Sequence, residues 1–264
     1  MQHRYVGDVG DFGKYALLNA LASSGLRLGV IWYLNEFEES NSDGNFISFD
    51  HLKALDSTLC EKLSIIRTVR RHLCEVHSSS ILPADTLFFD SVLPRPYPPC
   101  YSHDRRESEK QRRKRWFEDA YEAMSAAQLV FLDPDNGIAP SKLGMHSTRA
   151  CKYAFDSEVR TLLASGHSVI VYQHQNRNGT LMEQVERSVL RFADVAKDAF
   201  AITFHALAVR AYIILPANNS HKELLSNSCT QFLENGWSKV FRFCSHQHRE
   251  RNGCPLSTAI TDTK

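Results

Sequence analysis

Four apolar residues, Leu129-Val130-Phe131-Leu132, run directly into Asp133-Pro134-Asp135-Asn136-Gly137, and no other stretch constrains the fold of this chain as tightly. An apolar run that short, closed by turn formers, reads as a buried strand. In an open α/β sheet, ligands bind just beyond the carboxyl ends of the strands, so Asp133, Asp135 and Asn136 stand where chemistry is usually placed. The same residues also make a plain Asp-Pro and Asn-Gly turn, a reading that the motif alone leaves open.

Other segments repeat the pattern. Leu28–Leu34 is a second apolar run and opens into the acidic stretch beginning Asn35-Glu36; Thr86–Asp90 is a short strand candidate, and His167–Arg177 is another strand with a polar exit carrying Gln173, His174 and Asn176. Between them, Leu59, Leu63, Ile66, Val69 and Leu73 recur at helical spacing, as do Trp116, Phe117, Ala120, Tyr121 and Met124. Cys74, on the first of these helices, is expected to be a small core residue. Phe200–Phe204 and Val209–Leu215 are close enough to pair antiparallel, and a helix over Lys222–Leu233 precedes a last run at Lys239–Phe243. This order predicts a three-layer α/β sheet, mostly parallel with an antiparallel C-terminal strand pair, formed by one domain over residues 1–244. Residues 245–264 lack apolar periodicity and are expected to be a disordered tail. The proline-rich stretch Pro94–Cys100 is the best internal linker, since proline cannot join a sheet interior.

With 264 residues, of which 43% are hydrophobic, the chain can bury a sizeable core unaided. Its 31 Lys and Arg nearly balance 30 Asp and Glu, which excludes a global basic field and leaves any nucleic-acid partner to a local patch. The first residues lack a signal-peptide apolar region and no apolar run reaches membrane-span length, so the expectation is a cytoplasmic protein with no membrane partner. Seven cysteines without a C-x-x-C pair are read as free thiols, and no metal site is expected from them.

Three further segments carry candidate chemistry. Tyr5-Val6-Gly7-Asp8-Val9-Gly10-Asp11-Phe12-Gly13-Lys14 is a glycine-bearing loop leading into a helix, a setting in which backbone N–H groups can approach an anion and Lys14 adds a positive charge. The bland counterpart is that Asp11 caps the helix and Lys14 is solvated. Asn35 or Glu36, just past the first strand, is placed to take ribose hydroxyls. The basic run that includes Arg112, Arg113 and Arg115 lies on a helix and is either a solvated face or a phosphate-binding one.

Taken together, the opening Gly7-Asp11-Lys14 segment and Asp133-Pro134 at the end of a later strand resemble the bacterial ribosomal RNA adenine-N6 methyltransferases of the RlmJ type. Tyr5-Val-Gly-Asp-Val-Gly-Asp-Phe-Gly-Lys-Tyr15 with Phe131-Leu-Asp-Pro-Asp-Asn-Gly137 is also similar to a family of uncharacterised bacterial proteins. The first resemblance covers most of the chain to about Leu233. It implies a Rossmann-like methyltransferase sheet and S-adenosylmethionine as cofactor, bound around Gly7, Asp8, Asp11, Lys14, Asn35 and Glu36, with Lys14 meeting the cofactor's carboxylate. It also implies N-methylation of a nucleic-acid base, with Asp133, Asn136 and Gln173 around the target amine and Arg112, Arg113 and Arg115 on phosphates. Two segments depart from that pattern: Asp135-Asn136 stands where the family has Pro-Tyr, and Asn35-Glu36 stands where it has a glycine-rich turn. A second resemblance, of Asp133-x-Asp135 and Gly7-Asp8-x-x-Asp11 to haloacid-dehalogenase-like phosphohydrolases, implies Asp133 as nucleophile, Asp135 as acid/base and Mg²⁺ near Asp8 or Asp11, though with the motifs in reversed order. A non-catalytic nucleotide-binding protein is the third reading.

Overall fold

The computed structural model describes residues 1–35, 44, 46–96 and 102–244. Glu36, most of the acidic stretch after it, part of the proline-rich linker and the 245–264 tail therefore lie outside the described residues.

A helix α1 (Val9–Ala22) leads to strand β1 (Leu28–Trp32), with Gly25 at φ +87° taking the left-handed turn between them. Helices α2 (Ser57–Val69) and α3 (Leu73–Ser78), strand β2 (Leu87–Phe89) and the long helix α4 (His103–Ala123) follow. Strand β3 (Leu129–Asp133) leads into a short pair, β4 (Gly137–Ile138) and β5 (Tyr153–Ala154). Then come α5 (Asp156–Ala164), β6 (Ser168–His174), α6 (Leu181–Leu190), β7 (Phe200–Ala206), β8 (Ala208–Leu215), α7 (Asn219–Glu234) and β9 (Phe241–Cys244).

Seven strands form one sheet in the order β2-β1-β3-β6-β8-β7-β9. The first four are mutually parallel, while β8 runs antiparallel to both β6 and β7 and β9 runs antiparallel to β7. The expected α/β layout with a parallel centre is present, and the predicted pairing of the 200–204 and 209–215 runs holds over the register Phe200↔Ile214 to Ala206↔Ala208. Strand parity divides the core into two faces. Leu129 and Phe131 pack with α1, α2 and α7, while Val130 and Leu132 pack with α4, α5 and α6. Each of these four side chains is fully buried, which is why β3 reads as a continuous apolar run rather than an alternating one.

Two local expectations are corrected, and one small element is added. The single helix expected through Leu73 is two helices, because Arg70 and His72 adopt extended backbone between them. Cys74 consequently sits on the short second helix, exposed rather than in the core. The segment after Gly137 contributes the small parallel β4–β5 pair, a structure too short for periodicity to announce.

Candidate active site

The chain passes from β1 outward to β2, then returns to place β3 on the other side of β1. The sheet's topology therefore reverses between β1 and β3, and crevices at such a point, beyond the carboxyl ends, are where open α/β sheets bind ligands. Directly over the two strand ends lie the first two residues. The Met1 ammonium donates to the carbonyls of Tyr33 (2.8 Å) and Asp133 (3.2 Å) and pairs with Asp135 Oδ1 at 2.7 Å, while Gln2 Nε2 donates to Asp135 Oδ2 at 3.0 Å. The cavity that remains, about 360 Å³, lies on the α1 side, toward the ends of β3 and β6 and the start of β8.

Parity aims the side chains there. Asp133 shares the face of Leu129 and Phe131, which is the face that α1 covers, so it meets Lys14 from that helix. Lys14 Nζ donates to Asp133 Oδ2 at 2.9 Å and to Asp11 Oδ1 at 2.8 Å, with all three side chains at most 3% exposed. The ammonium also lies 4.9 Å from the Tyr172 ring centre and 5.5 Å from that of Trp32. Lys14, Asp133 and Asn136 line one cavity, as their positions at loop and strand ends predicted.

Burial works against the Lys14 charge, but the carboxylates of Asp11 and Asp133 outweigh it and hold the ammonium protonated. Asp133 is almost wholly buried and shares that one ammonium with Asp11. Burial therefore pushes its carboxyl above the usual carboxylate range despite Lys14 and the Met1 ammonium. Lys14 engages only Oδ2, and Oδ1 has no partner among the described residues. Asp8 also lines the cavity, and burial together with the neighbouring Asp11 raises its carboxyl to about 6 even though it accepts the Asp11 N–H.

Several residues predicted for the site serve the scaffold instead. Asp8, not Asp11, caps α1, with Oδ1 accepting from Asp11 N–H at 3.0 Å. Asp11 Oδ2 takes the Gly7 N–H (2.9 Å) and the Tyr15 hydroxyl (3.2 Å). The helix N-terminus thus faces two carboxylates of its own chain and is no anion site. Lys14 is not solvated, and two of its three N–H donors go to carboxylates of its own chain, Asp11 and Asp133. Gly7, at φ +81°, makes the turn into α1, and a Cβ on Gly13 would fall 2.9 Å from the Phe204 ring, so that glycine seats the helix on the sheet.

Gln173 has the opposite parity to Tyr172 and leaves the cavity. Its Oε1 accepts from Ile138 N–H (2.9 Å), and its Nε2 donates to the carbonyls of Asn136 (3.1 Å) and His174 (3.0 Å), bracing the loop after Asp133. Asn35 is buried, bonding through its N–H to the Met1 carbonyl (2.8 Å) and through Nδ2 to Cys151 Sγ (3.6 Å), outside the cavity lining. Arg113 is not a phosphate ligand. It is 3% exposed, forks onto Glu158 at 2.6 and 2.9 Å and donates to two backbone carbonyls. Arg112 and Arg115 instead border an apolar groove with Pro94 and Trp116, and Arg112 pairs with Glu109 at 2.8 Å.

Sequence reading missed Arg210, which lines the cavity opposite His174 in the β6–β8 register, and Tyr172, whose hydroxyl burial raises to about 12. The available signal was the charge inside the apolar Val209–Leu215 run. Burial, together with Arg210 and Lys14, keeps His174 well below the usual histidine range, so its ring is neutral at pH 7. Among the described residues no group of three or more His, Cys, Asp or Glu is arranged to hold a metal ion, and no helix is long and apolar enough to cross a membrane. Compared with known proteins, the chain matches no protein-family model and no curated protein.

Proposed function

We propose that this chain is an S-adenosylmethionine-dependent methyltransferase of Rossmann-like type that transfers a methyl group to a nitrogen of a nucleic-acid base. The observation that carries the reading is Asp133. It ends the strand beside the sheet's reversal point and lines the cavity, with its Oδ2 held by Lys14. The antiparallel β8 inserted between β6 and β7 supports a methyltransferase-like sheet over a dehalogenase-like one. The metal-dependent phosphohydrolase reading is weaker for a second reason. Asp11, Asp133 and Asp135 spend carboxylate oxygens on Lys14, the Gly7 N–H, Gln2 and the Met1 ammonium.

The donor set of the cavity fits a zwitterionic cofactor. Asp8 can take its ammonium and Arg210 its carboxylate, a task reassigned here from Lys14. When bound, S-adenosylmethionine supplies an electrophilic methyl group on a sulfonium. The residues of this chain then have to position a nucleophile, and alignment contributes more than a strong base would. Asp133 Oδ1 accepts a hydrogen bond from the target amine, Lys14 keeps that carboxylate from turning, and Gln173 holds the following loop so that Asn136 stays at the cavity wall. The nucleic-acid part of the reading now rests on Arg112 and Arg115. Their groove is lined by Leu93, whose N–H bonds to the Leu34 carbonyl just past β1 at 2.8 Å, and it lies on the α4 face of the sheet, opposite the face that α1 covers.

Isothermal titration separates the readings. S-adenosylhomocysteine is expected to bind saturably, and Mg²⁺ with p-nitrophenyl phosphate is expected to give neither heat nor hydrolysis. Magnesium-dependent hydrolysis lost in Asp133→Asn, with no binding of the cofactor product, would reverse the assignment. Binding without methyl transfer to any RNA or DNA would reduce the chain to a nucleotide-binding protein.

A further inference from the structure

Methyl transfer to an amine leaves one proton to be disposed of. As the nitrogen gains its bond to carbon, the carbon–sulfur bond breaks with its electron pair going to sulfur, and an N–H bond has to break with its pair staying on nitrogen. Asp133 is a poor place for that proton, because neutralising it would take from Lys14 one of its two carboxylates. His174 lines the same cavity. The β3–β6 register runs to Leu132↔Val171, so Asp133 stands beside Tyr172, which shares the core of Leu129 and Phe131. Two residues on, His174 takes the same face, roughly 7 Å farther along the strand direction. Its ring stands edge-on to that of Tyr172, 5.3 Å between centres at 89°, and its carbonyl accepts from Gln173 Nε2 at 3.0 Å. Buried and half-buried histidines elsewhere, His72, His77, His167 and His221, each have a ring nitrogen within 3.2 Å of a protein partner. Neither ring nitrogen of His174 has one among the described residues, and neither is sealed in the interior. His146, whose Nδ1 also lacks a partner, is not part of the cavity lining.

Resting on the proposed function, we infer that His174 is the catalytic base of this site: one of its ring nitrogens takes the proton that leaves the acceptor nitrogen, directly or through one water, while Asp133 orients that nitrogen. The charges around the ring suit the task. Arg210 faces it from β8, Lys14 from α1 and the Met1 ammonium from the chain start, against the carboxylates of Asp8 and Asp133 on the other walls. Burial and the three cations keep the imidazole neutral at pH 7, ready to accept a proton without breaking an ion pair. A base nitrogen whose lone pair is shared with its ring becomes, once methylated, a far stronger acid than imidazolium, so even this weak base receives the proton downhill. The same cations then drive the proton from His174 into water at the cavity mouth, which regenerates the base.

The test follows the tritium-labelled methyl group of S-adenosylmethionine into a pool of RNA and DNA, in single turnovers across pH, for the parent, His174→Gln and His174→Ala. Saturating cofactor keeps Asp8, assigned to the cofactor's ammonium, out of the profile. An NMR titration of the histidine rings runs beside it, with His174→Gln assigning the signal. The His174 ring is expected to be neutral at pH 7 and to titrate below the usual histidine range. Transfer by the parent should fall as pH drops through that titration. Both variants should lose about a hundredfold in rate at pH 7 and lack that limb, with affinity for S-adenosylhomocysteine unchanged. Added imidazole should restore part of the rate to His174→Ala and none to Asp133→Ala. The inference is overturned if the ring is protonated at pH 7, if either variant transfers near the parent's rate, or if imidazole restores nothing, which would make His174 a structural residue. A limb that persists in both variants overturns it too, and hands the proton to Asp133. A parent that transfers to nothing in the pool removes the methyltransferase reading and the base with it, whereas parental transfer that survives in His174→Gln removes the base alone.

Discussion

Lys14 is a single cation between two buried carboxylates, so its removal strands Asp11 and Asp133 together, away from water. Breaking a buried pair by deleting one partner costs roughly 3–5 kcal/mol, far more than the intact pair contributes. Lys14→Met is therefore expected to lose about that much in urea unfolding at pH 7, with a smaller loss at pH 4, where Asp133, already raised by burial, can take up a proton. A loss below about 1 kcal/mol at both pH values would mean that the triad is solvated in solution. Asp8 behaves differently, because its carboxyl is raised from 3.8 to about 6. The folded state then holds that proton more tightly than the unfolded chain does, so the contribution to stability is full below about 3.8 and is lost as pH rises through about 6. Asparagine caps a helix as well as aspartate and carries no charge. Asp8→Asn should accordingly match the parent at pH 3.5, gain on it between pH 4 and 6, and keep a constant advantage from pH 7 upward in denaturant titrations. A difference that does not vary with pH would show that Asp8 titrates normally.

At the level of elements, strands were legible wherever they were buried on both faces, since an uninterrupted apolar run such as Leu129–Leu132 leaves little else to form. The pairing of β7 with β8 was legible too, from the short connection. Sheet order was not, because nothing local in β3 states that it lies between β1 and β6. The facing of side chains was half legible. Parity from Leu129 and Phe131 assigns Asp133 to one face once a covering helix is known, and the same parity removes Gln173, a residue whose type alone suggested chemistry. The basic run on α4 shows what residue type cannot tell, for Arg112, Arg113 and Arg115 look alike in sequence and part company in the fold. Arg113 supports Glu158, which also takes the Tyr33 hydroxyl at 3.0 Å and the Phe155 N–H at 2.9 Å. Arg113→Met is expected to destabilise by about 3 kcal/mol or more through the stranded Glu158. Arg112→Ala with Arg115→Ala should leave the melting temperature near the parent's and lower the salt dependence of RNA binding by roughly 1–2 log units per log unit of salt. Unchanged affinity and slope in that double variant would remove α4 from the nucleic-acid reading.

For the whole molecule, the decisive arrangement is that the cavity draws on elements far apart in the chain: α1, the end of β3, the end of β6 and the start of β8. A ligand that touches all four exists only on the folded state and links the parallel half of the sheet to the antiparallel half. Such a ligand stabilises by mass action, by about 2.7 kcal/mol at a hundred times its dissociation constant. For a chain of this size that corresponds to a rise in melting temperature of roughly 5–10 °C. S-adenosylhomocysteine at that saturation is expected to produce the rise, and Mg²⁺ with inorganic phosphate is expected to produce none. Arg210→Met should abolish most of the shift, because the arginine lies across the β6–β8 register at the cavity wall and is the cation assigned to the cofactor's carboxylate. Asp133→Asn should retain it, since that side chain is assigned to the acceptor amine rather than to the cofactor. A shift that survives Arg210→Met and disappears in Asp133→Asn would exchange the two assignments, placing the cofactor where the acceptor has been drawn.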